Sequence, residues 1–114
     1  MRKRPAVGAV VLAHFPFTDL TGAKRRPAVV IAHANGEDLV VAYVSSQLGN
    51  TSTYDIPLSD AEKDFSQTGL HLSSVVCIDK LTTLSPNVIT GRLGQLPRRY
   101  MHDVRQKIKK LFQL

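Results

Sequence analysis

The dipeptide Asn35-Gly36, which separates two apolar runs, is the feature that most constrains the fold. The runs at 28–32 (AVVIA) and 39–44 (LVVAYV) are rich in β-branched residues, which favour strands. An Asn-Gly step between two such runs is typical of a tight hairpin turn. The two runs are therefore predicted to be antiparallel neighbours in a β-sheet.

This hairpin brings together residues that are distant in the sequence. Pro27 restricts the backbone of Arg26 to extended geometry, so the first strand is expected to begin there. The second strand ends at Ser45 and Ser46. Because the start of one strand lies beside the end of its antiparallel partner, a guanidinium and two hydroxyls are predicted to meet at one edge of the sheet.

The rest of the chain predicts further strands and one helix. Strands are expected at 10–15, at the end of 47–58, at 73–84 and at 88–96, the last broken by Gly91 and Gly94. Ser59 is a candidate cap for a short helical turn ahead of Gly69. From Pro97 onward apolar residues recur at helical spacing: Tyr100, Met101, Val104, Ile108, Leu111 and Phe112.

These elements predict a mainly β fold in a single domain over 1–114. The expected architecture is a small, strongly twisted antiparallel sheet or partly closed barrel, with short helical inserts and a C-terminal helix. Tyr54, Ile56 and Leu58 are expected to share one face of their strand. A chain of this size exposes much of its surface, so pairing with a second copy would bury additional apolar area.

The charge balance favours an anionic partner. Fifteen Lys and Arg against nine Asp and Glu give a net charge of +6. Nucleic acid is the commonest such partner, because each cation that meets a phosphate releases condensed counterions. The alternative is a basic surface that only serves solubility. Cations at the end of the predicted helix also suit its negative pole, and we prefer that structural interpretation for Arg105, Lys107, Lys109 and Lys110.

Several classes of site have no support in the sequence. The single cysteine, Cys77, excludes an internal disulfide and a cysteine-rich metal site, and indicates a cytoplasmic protein. No stretch approaches the ~20 apolar residues of a membrane span. Glycine-rich phosphate loops, metal-spaced Cys or His pairs and a nucleophile elbow are all missing, so no metal or cofactor is expected. Among the four histidines, His14 and His71 are the two that could lie near the first loop.

Three segments, in order, resemble the MazF/PemK family of type II toxin-antitoxin toxins: FPFTDLTGAKRRPAVVIA at 15–32, VVAYVSSQ at 40–47 and GLHLSSVVCIDKLTTL at 69–84. The first segment is the most specific. The resemblance implies an SH3-like barrel, a homodimer and a cytoplasmic mRNA interferase. Such a toxin cleaves single-stranded RNA at short sequences without a metal and is paired with a cognate antitoxin protein.

The resemblance also implies site residues. The family's arginine before the strand proline falls on Arg26, its Thr or Ser at the hairpin strand end on Ser45, and its acidic residue in the third segment on Asp79; these are the candidate catalytic residues. The candidate RNA-binding residues are Lys24, Arg25, Ser46, Gln47, Lys80, Phe17 and Tyr54. Attack by the ribose 2′-oxygen places extra negative charge on the phosphorus oxygens, which an arginine fork and a hydroxyl can stabilise. The general base is not identified; Asp79 and His71 are the candidates.

Two departures from the family pattern keep other functions open. Ala9 follows Gly8 where members usually carry an acid, and Cys77 stands where some place an arginine. The alternatives are a toxin of the same fold that inhibits DNA gyrase without cleaving RNA, and a relative that only binds nucleic acid. For Arg26 taken alone, the alternative is a surface cation that keeps a strand end soluble.

Overall fold

Six antiparallel strands form one sheet in the computed structural model, which describes residues 4–15, 25–49 and 52–114. In chain order the strands are β1 Ala9–His14, β2 Arg25–His33, β3 Leu39–Ser45, β4 Asp55–Leu58, β5 Ser74–Leu84 and β6 Ile89–Gln95. Short 3₁₀ helices occupy Phe65–Thr68 and Pro86–Val88, and helix α1 spans Arg98–Phe112. The spatial order is β4-β5-β3-β2-β1-β6. The predicted mainly β fold with a C-terminal helix is confirmed.

The β2–β3 hairpin forms at the predicted Asn-Gly step. Gly36 adopts a φ of +67°, a conformation that glycine reaches at little cost. The amide of Ala34 donates to the carbonyl of Asp38 at 2.9 Å and closes the turn. Ala28 then pairs with Tyr43. The same register, continued to the strand ends, places Arg26 opposite Ser45.

Strand β5 carries a bulge that the sequence did not predict. Ala42 pairs with Leu81, but the next residue of β3, Tyr43, pairs with Cys77, so residues 78–80 have no partners on β3. Ile78 is buried, whereas Asp79 and Lys80 are exposed. The bulge therefore directs two charged side chains outward from the middle of the strand.

The sheet separates two apolar clusters. The helix-side core lies beneath α1 and comprises Val10, Val29, Ala42, Val44, Ile56, Leu58, Phe65, Val76, Ile78, Leu96, Tyr100, Met101 and Val104. The groove-side core comprises Ala9, Val11, Ala13, Phe15, Ala28, Val30, Leu39, Val41 and Leu84. Arg26 pairs with Ala13 of the groove-side core, so its side chain belongs to that face of the sheet.

Helix α1 packs by its predicted stripe, with one exception. Tyr100, Met101 and Val104 are buried, and Ile108 and Leu111 pack against the same cluster. Phe112 was predicted to continue the stripe, and this is wrong: it is 56% exposed. It is the last helical residue and flanks the packed stripe instead of extending it.

Three cations of α1 fasten the helix to the rest of the chain. Arg99 binds Asp64 through two nitrogens at 2.8 and 2.9 Å, and this contact lowers the pKa of the Asp64 carboxyl. Lys107 donates to the carbonyl of Thr53 at 2.6 Å, and Lys110 to its hydroxyl at 3.0 Å. Lys107 and Lys110 thus have structural contacts, which are hydrogen bonds to Thr53; their predicted interaction with the negative end of the helix stays a prediction.

Two local predictions need correction. A helical turn ends at Gly69 as expected, but Ser59 does not cap it. The turn begins at Phe65 after Asp64, and the Ser59 hydroxyl accepts from the amide of Ala61, because another tight turn intervenes. Strand β6 is also continuous through its glycines; only its register with β1 shifts. No helix in the described ranges has the length and apolarity to cross a membrane.

Two glycines lock the first 3₁₀ helix against β6. A Cβ at Gly94 would lie 2.2 Å from the carbonyl oxygen of Gln67, and one at Gly69 would lie 2.0 Å from that of Leu93. Both contacts are with backbone, which cannot move aside as a flexible side chain can. The two segments therefore approach each other only because neither residue carries a side chain.

We predict that Gly94→Ala lowers the free energy of unfolding by about 1–3 kcal/mol, because the new methyl group must separate β6 from the 3₁₀ helix. Gly91→Ala is the matched control, since a Cβ there meets nothing within 4 Å. Urea denaturation of both variants measures the difference. Equal unfolding midpoints would show that the contact does not constrain β6.

Candidate functional site

A groove of about 330 Å³ opens where β2 begins and β3 ends. We call it the cationic groove; its lining residues are Arg25, Arg26, Pro27, Tyr43, Val44, Ser45, Ser46, Gln47, Ser74 and Lys80. The hairpin and the β5 bulge together supply this lining. Six of the residues singled out in the sequence meet here: Arg25, Arg26, Ser45, Ser46, Gln47 and Lys80. The candidates Lys24 and Phe17 lie outside the described residues.

Arg26 carries an unpaired donor at this groove. Its Nε is buried and has no hydrogen-bond partner among the described residues. A buried donor without a partner costs about 1–3 kcal/mol, so such a group is usually satisfied by another ligand. An anion in the groove would accept from this guanidinium and remove that cost.

The Ser45 hydroxyl is held in place as an acceptor. The backbone amide of Gln47 donates to Ser45 Oγ at 3.1 Å, a local turn that fixes the oxygen at the end of β3. A hydroxyl accepts and donates at the same time. The Ser45 hydrogen thus remains available to a ligand in the groove.

The groove is electropositive. Arg25, Arg26 and Lys80 contribute positive charge, and none of the described lining residues is acidic. Arg25 and Lys80 are exposed, and neither has an ion-pair partner among the described residues. A concave surface with one sign of charge concentrates oppositely charged ligands.

A second cavity of about 300 Å³ adjoins the groove. We call it the acidic cavity; its lining residues are Ser45, Gln47, Gly49, Ser52, Asp55, Val75, Cys77, Asp79 and Lys80. Ser45, Gln47 and Lys80 line both spaces. Asp79, the third candidate catalytic residue, belongs to the acidic cavity and not to the lining of the cationic groove.

The thiol at the base of the acidic cavity is not a nucleophile. Cys77 is 4% exposed. Burial, followed by the negative charge of Asp55, raises the pKa of its thiol to about 11. The thiol therefore stays protonated near neutral pH and is not a thiolate nucleophile.

Two other candidates lie away from both spaces. Tyr54 packs against the helix-side core, and its ring lies 6.0 Å from the Lys110 ammonium. The alternation that buries Ile56 under the helix also directs Tyr54 to that face. His71 is exposed and lines neither the groove nor the cavity.

Several lining residues were not predicted as site residues, among them Tyr43, Ser74, Asp55 and Ser52. Tyr43 lies two residues before Ser45, so the alternation of β3 could have placed it on the groove face; its ring meets Phe15 edge to face at 5.6 Å. Ser74 is buried and donates to the Leu72 carbonyl at 2.8 Å. Asp55 and Ser52 come from the segment beside β5, and only the tertiary fold brings them there.

His14 lies opposite Arg25 in the β1–β2 register, and its Nδ1 is buried with no hydrogen-bond partner among the described residues. It does not line the groove. Within 4–15, 25–49 and 52–114, no three His, Cys, Asp or Glu side chains are grouped to hold a metal ion.

Solved structures share this fold at low sequence identity. MazF from Deinococcus radiodurans matches with a TM-score of 0.76 and 21% identity, over 99% of this chain and 100% of that chain. A MazE-MazF complex from the same organism matches with 0.77 and 21%, over 99% of each chain. An endoribonuclease in complex with its cognate antitoxin, from Mycobacterial species, matches with 0.73 and 17%, over 96% of each chain.

Sequence comparison gives the family. A search of curated proteins found no significant match. The family profile described as PemK-like, MazF-like toxin of type II toxin-antitoxin system matches residues 6–112, almost the whole chain. The family that the three sequence segments predicted is thereby confirmed, and this chain belongs to the PemK-like, MazF-like toxins of type II toxin-antitoxin systems.

Proposed function

We propose that this toxin is a sequence-specific, metal-independent endoribonuclease that cleaves single-stranded RNA at the cationic groove. The observation that carries the proposal is the meeting of Arg26 and Ser45, from two paired strands, in one groove whose described lining has no acidic residue. Two of the similar solved structures are endoribonucleases from Mycobacterial species, which supports the proposal.

The proposed reaction is attack of the ribose 2′-oxygen on the adjacent phosphorus. The new O2′–P bond forms as the P–O5′ bond breaks, leaving a 2′,3′-cyclic phosphate and a free 5′-hydroxyl. The 2′-proton goes to a base, and the departing 5′-oxygen takes up a proton. Negative charge builds on the two non-bridging oxygens, where preorganised donors are most effective.

Arg26 and Ser45 stabilise that charge. The Arg26 guanidinium offers several donors in a fixed plane and is a permanent cation on the groove lining. The Ser45 hydroxyl, oriented by the Gln47 amide, donates to the same phosphate. Arg25 and Lys80 hold flanking phosphates, because both are exposed cations on the groove wall.

Only one of the two proton transfers is assigned to a residue of the chain. Arg26 donates toward the departing 5′-oxygen and is too weak a base to accept the 2′-proton. No described residue lining the groove carries a carboxylate or an imidazole. Asp79 lies in the adjoining cavity beside Lys80, so we assign it no step at the phosphorus.

We also propose that the toxin binds a cognate antitoxin protein and acts as a homodimer, as the family resemblance implies. One similar structure is an endoribonuclease in complex with its cognate antitoxin, and another is a MazE-MazF complex. An acidic segment of such a partner would complement the cationic groove and block access to it.

We predict that Arg26→Ala lowers the rate of RNA cleavage about 10²- to 10³-fold, as expected when one well-placed donor is removed. The measurement is single-turnover cleavage of a single-stranded RNA by purified protein, with circular dichroism to verify folding. Arg98→Ala is the matched control, because Arg98 is an exposed cation on α1 outside the groove. Cleavage by Arg26→Ala at the control's rate contradicts the assignment.

A second prediction concerns the nucleophile. Replacing the ribose 2′-hydroxyl by hydrogen at the cut site alone should stop cleavage there, because the attacking oxygen is gone. Cleavage of unmodified RNA should yield cyclic phosphate ends and persist in excess EDTA. Intact RNA under all conditions, together with trapped gyrase–DNA complexes, would instead identify the gyrase-inhibiting alternative.

A further inference from the structure

The acidic cavity has no role in the reaction derived above, yet it shares three residues with the cationic groove. We propose that it is a nucleobase subsite, which binds the base next to the cut phosphate and prefers adenine, cytosine or guanine to uracil. This inference rests on the proposed function, because it assumes that RNA occupies the groove.

The charges of the two spaces match the two parts of a nucleotide. The groove is lined by cations, whereas Asp55 and Asp79 line the cavity next to it. Two carboxylates repel a phosphate, so the cavity suits a neutral group. The shared wall of Ser45, Gln47 and Lys80 places that neutral group directly beside a phosphate held in the groove.

The carboxylate of Asp55 is fixed in position. Its Oδ2 accepts from the backbone amide of Ser52 at 2.8 Å, and its Oδ1 from the Ser52 hydroxyl at 3.3 Å. Each carboxylate oxygen can accept a further hydrogen bond. Asp79 has no hydrogen-bond or ion-pair partner among the described residues. Both groups are thus free to accept from a ligand.

Two apolar side chains belong to the otherwise polar lining of the cavity. Val75 and Cys77 are buried side chains on its lining, and the Cys77 thiol is neutral. Small-molecule sites combine apolar side chains with a few placed polar groups, and 300 Å³ is within the usual volume of one. One nucleobase fits this description.

Carboxylates select among the bases because they only accept hydrogen bonds. Adenine and cytosine present an exocyclic amino group on their pairing edge, and guanine presents an amino group beside a ring N–H. Uracil presents two carbonyl oxygens on either side of its one N–H, and these oxygens would face the carboxylates. A well-matched contact of this kind discriminates by roughly tenfold or more.

The test measures cleavage of short RNAs that differ only in the base on each side of a mapped cut. The wild-type toxin should prefer adenine, cytosine or guanine to uracil by about tenfold at one of these two positions. Asp55→Asn should shift that preference toward uracil by about tenfold, because the new amide can donate to a uracil carbonyl. Asp60→Asn, an exposed position outside the cavity, should retain the wild-type preference.

Asp55→Asn loses contacts to Ser52 and could unfold, which a thermal melt would reveal. Asp79→Asn is therefore a second variant for the same test. Equal cleavage with all four bases at both positions overturns the subsite. A preference that neither substitution changes overturns it as well.

Binding of uncleavable 2′-deoxy oligonucleotides separates the subsite from the nuclease. Base-dependent affinity that Asp55→Asn or Asp79→Asn shifts, with no cleavage of RNA, would support the subsite and contradict the proposed function. RNA cleavage whose rates, like the binding affinities, do not depend on the base would support the proposed function and contradict the subsite.

Discussion

The pairing of β2 with β3 is the contact on which the candidate site depends. The turn at Gly36 sets His33 against Leu39, and the register then shifts by one residue between Val30 and Ala32. Beyond this shift Ala28 pairs with Tyr43, which carries Arg26 to the position opposite Ser45. Because side chains alternate along a strand, a shift of one residue would turn Arg26 to the helix side of the sheet. The groove would then lose its central cation, although every strand could still form.

The second determinant is the bulge in β5. Asp79 and Lys80 project from the strand where residues 78–80 have no partners on β3, and Lys80 thereby reaches the wall common to both spaces. Positive charge collects on one side of that wall and carboxylates on the other. The charges stay separate because Lys80 and Asp79 form no ion pair with each other or with another described residue.

Local patterns in the sequence predict much of this molecule. The Asn-Gly turn, the β-branched runs and the helical stripe are properties of short segments, and the strands, the hairpin and α1 formed where they indicated. The hairpin predicted that Arg26 and the Ser45-Ser46 pair would be neighbours, but the one-residue register shift between Val30 and Ala32, which sets Arg26 opposite Ser45, was not predicted. The predictions that Phe112 would pack and that Ser59 would cap a helical turn were wrong, because the ends of helices depend on what packs around them.

Short sequence patterns could not predict the features that depend on tertiary contacts. Nothing in the run SVVCIDKL marks where β5 will bulge, since the bulge is a property of its pairing with β3. Tyr54 was predicted to bind RNA, but its position is decided by the helix that covers its face of β4. Asp55 reaches the acidic cavity only after β4 pairs with β5, opposite Cys77.

The central claim is that Arg26 and Ser45 act on one phosphate, and a double-mutant cycle tests it most directly. Cleavage rates of Arg26→Ala, Ser45→Ala and the double variant give the coupling between the two side chains. Groups that bind the same phosphate should couple by about 0.5–3 kcal/mol, so the double variant should lose much less than the product of the single losses. If the rate loss of the double variant equals the product of the two single losses, the two residues act independently, which would contradict the account.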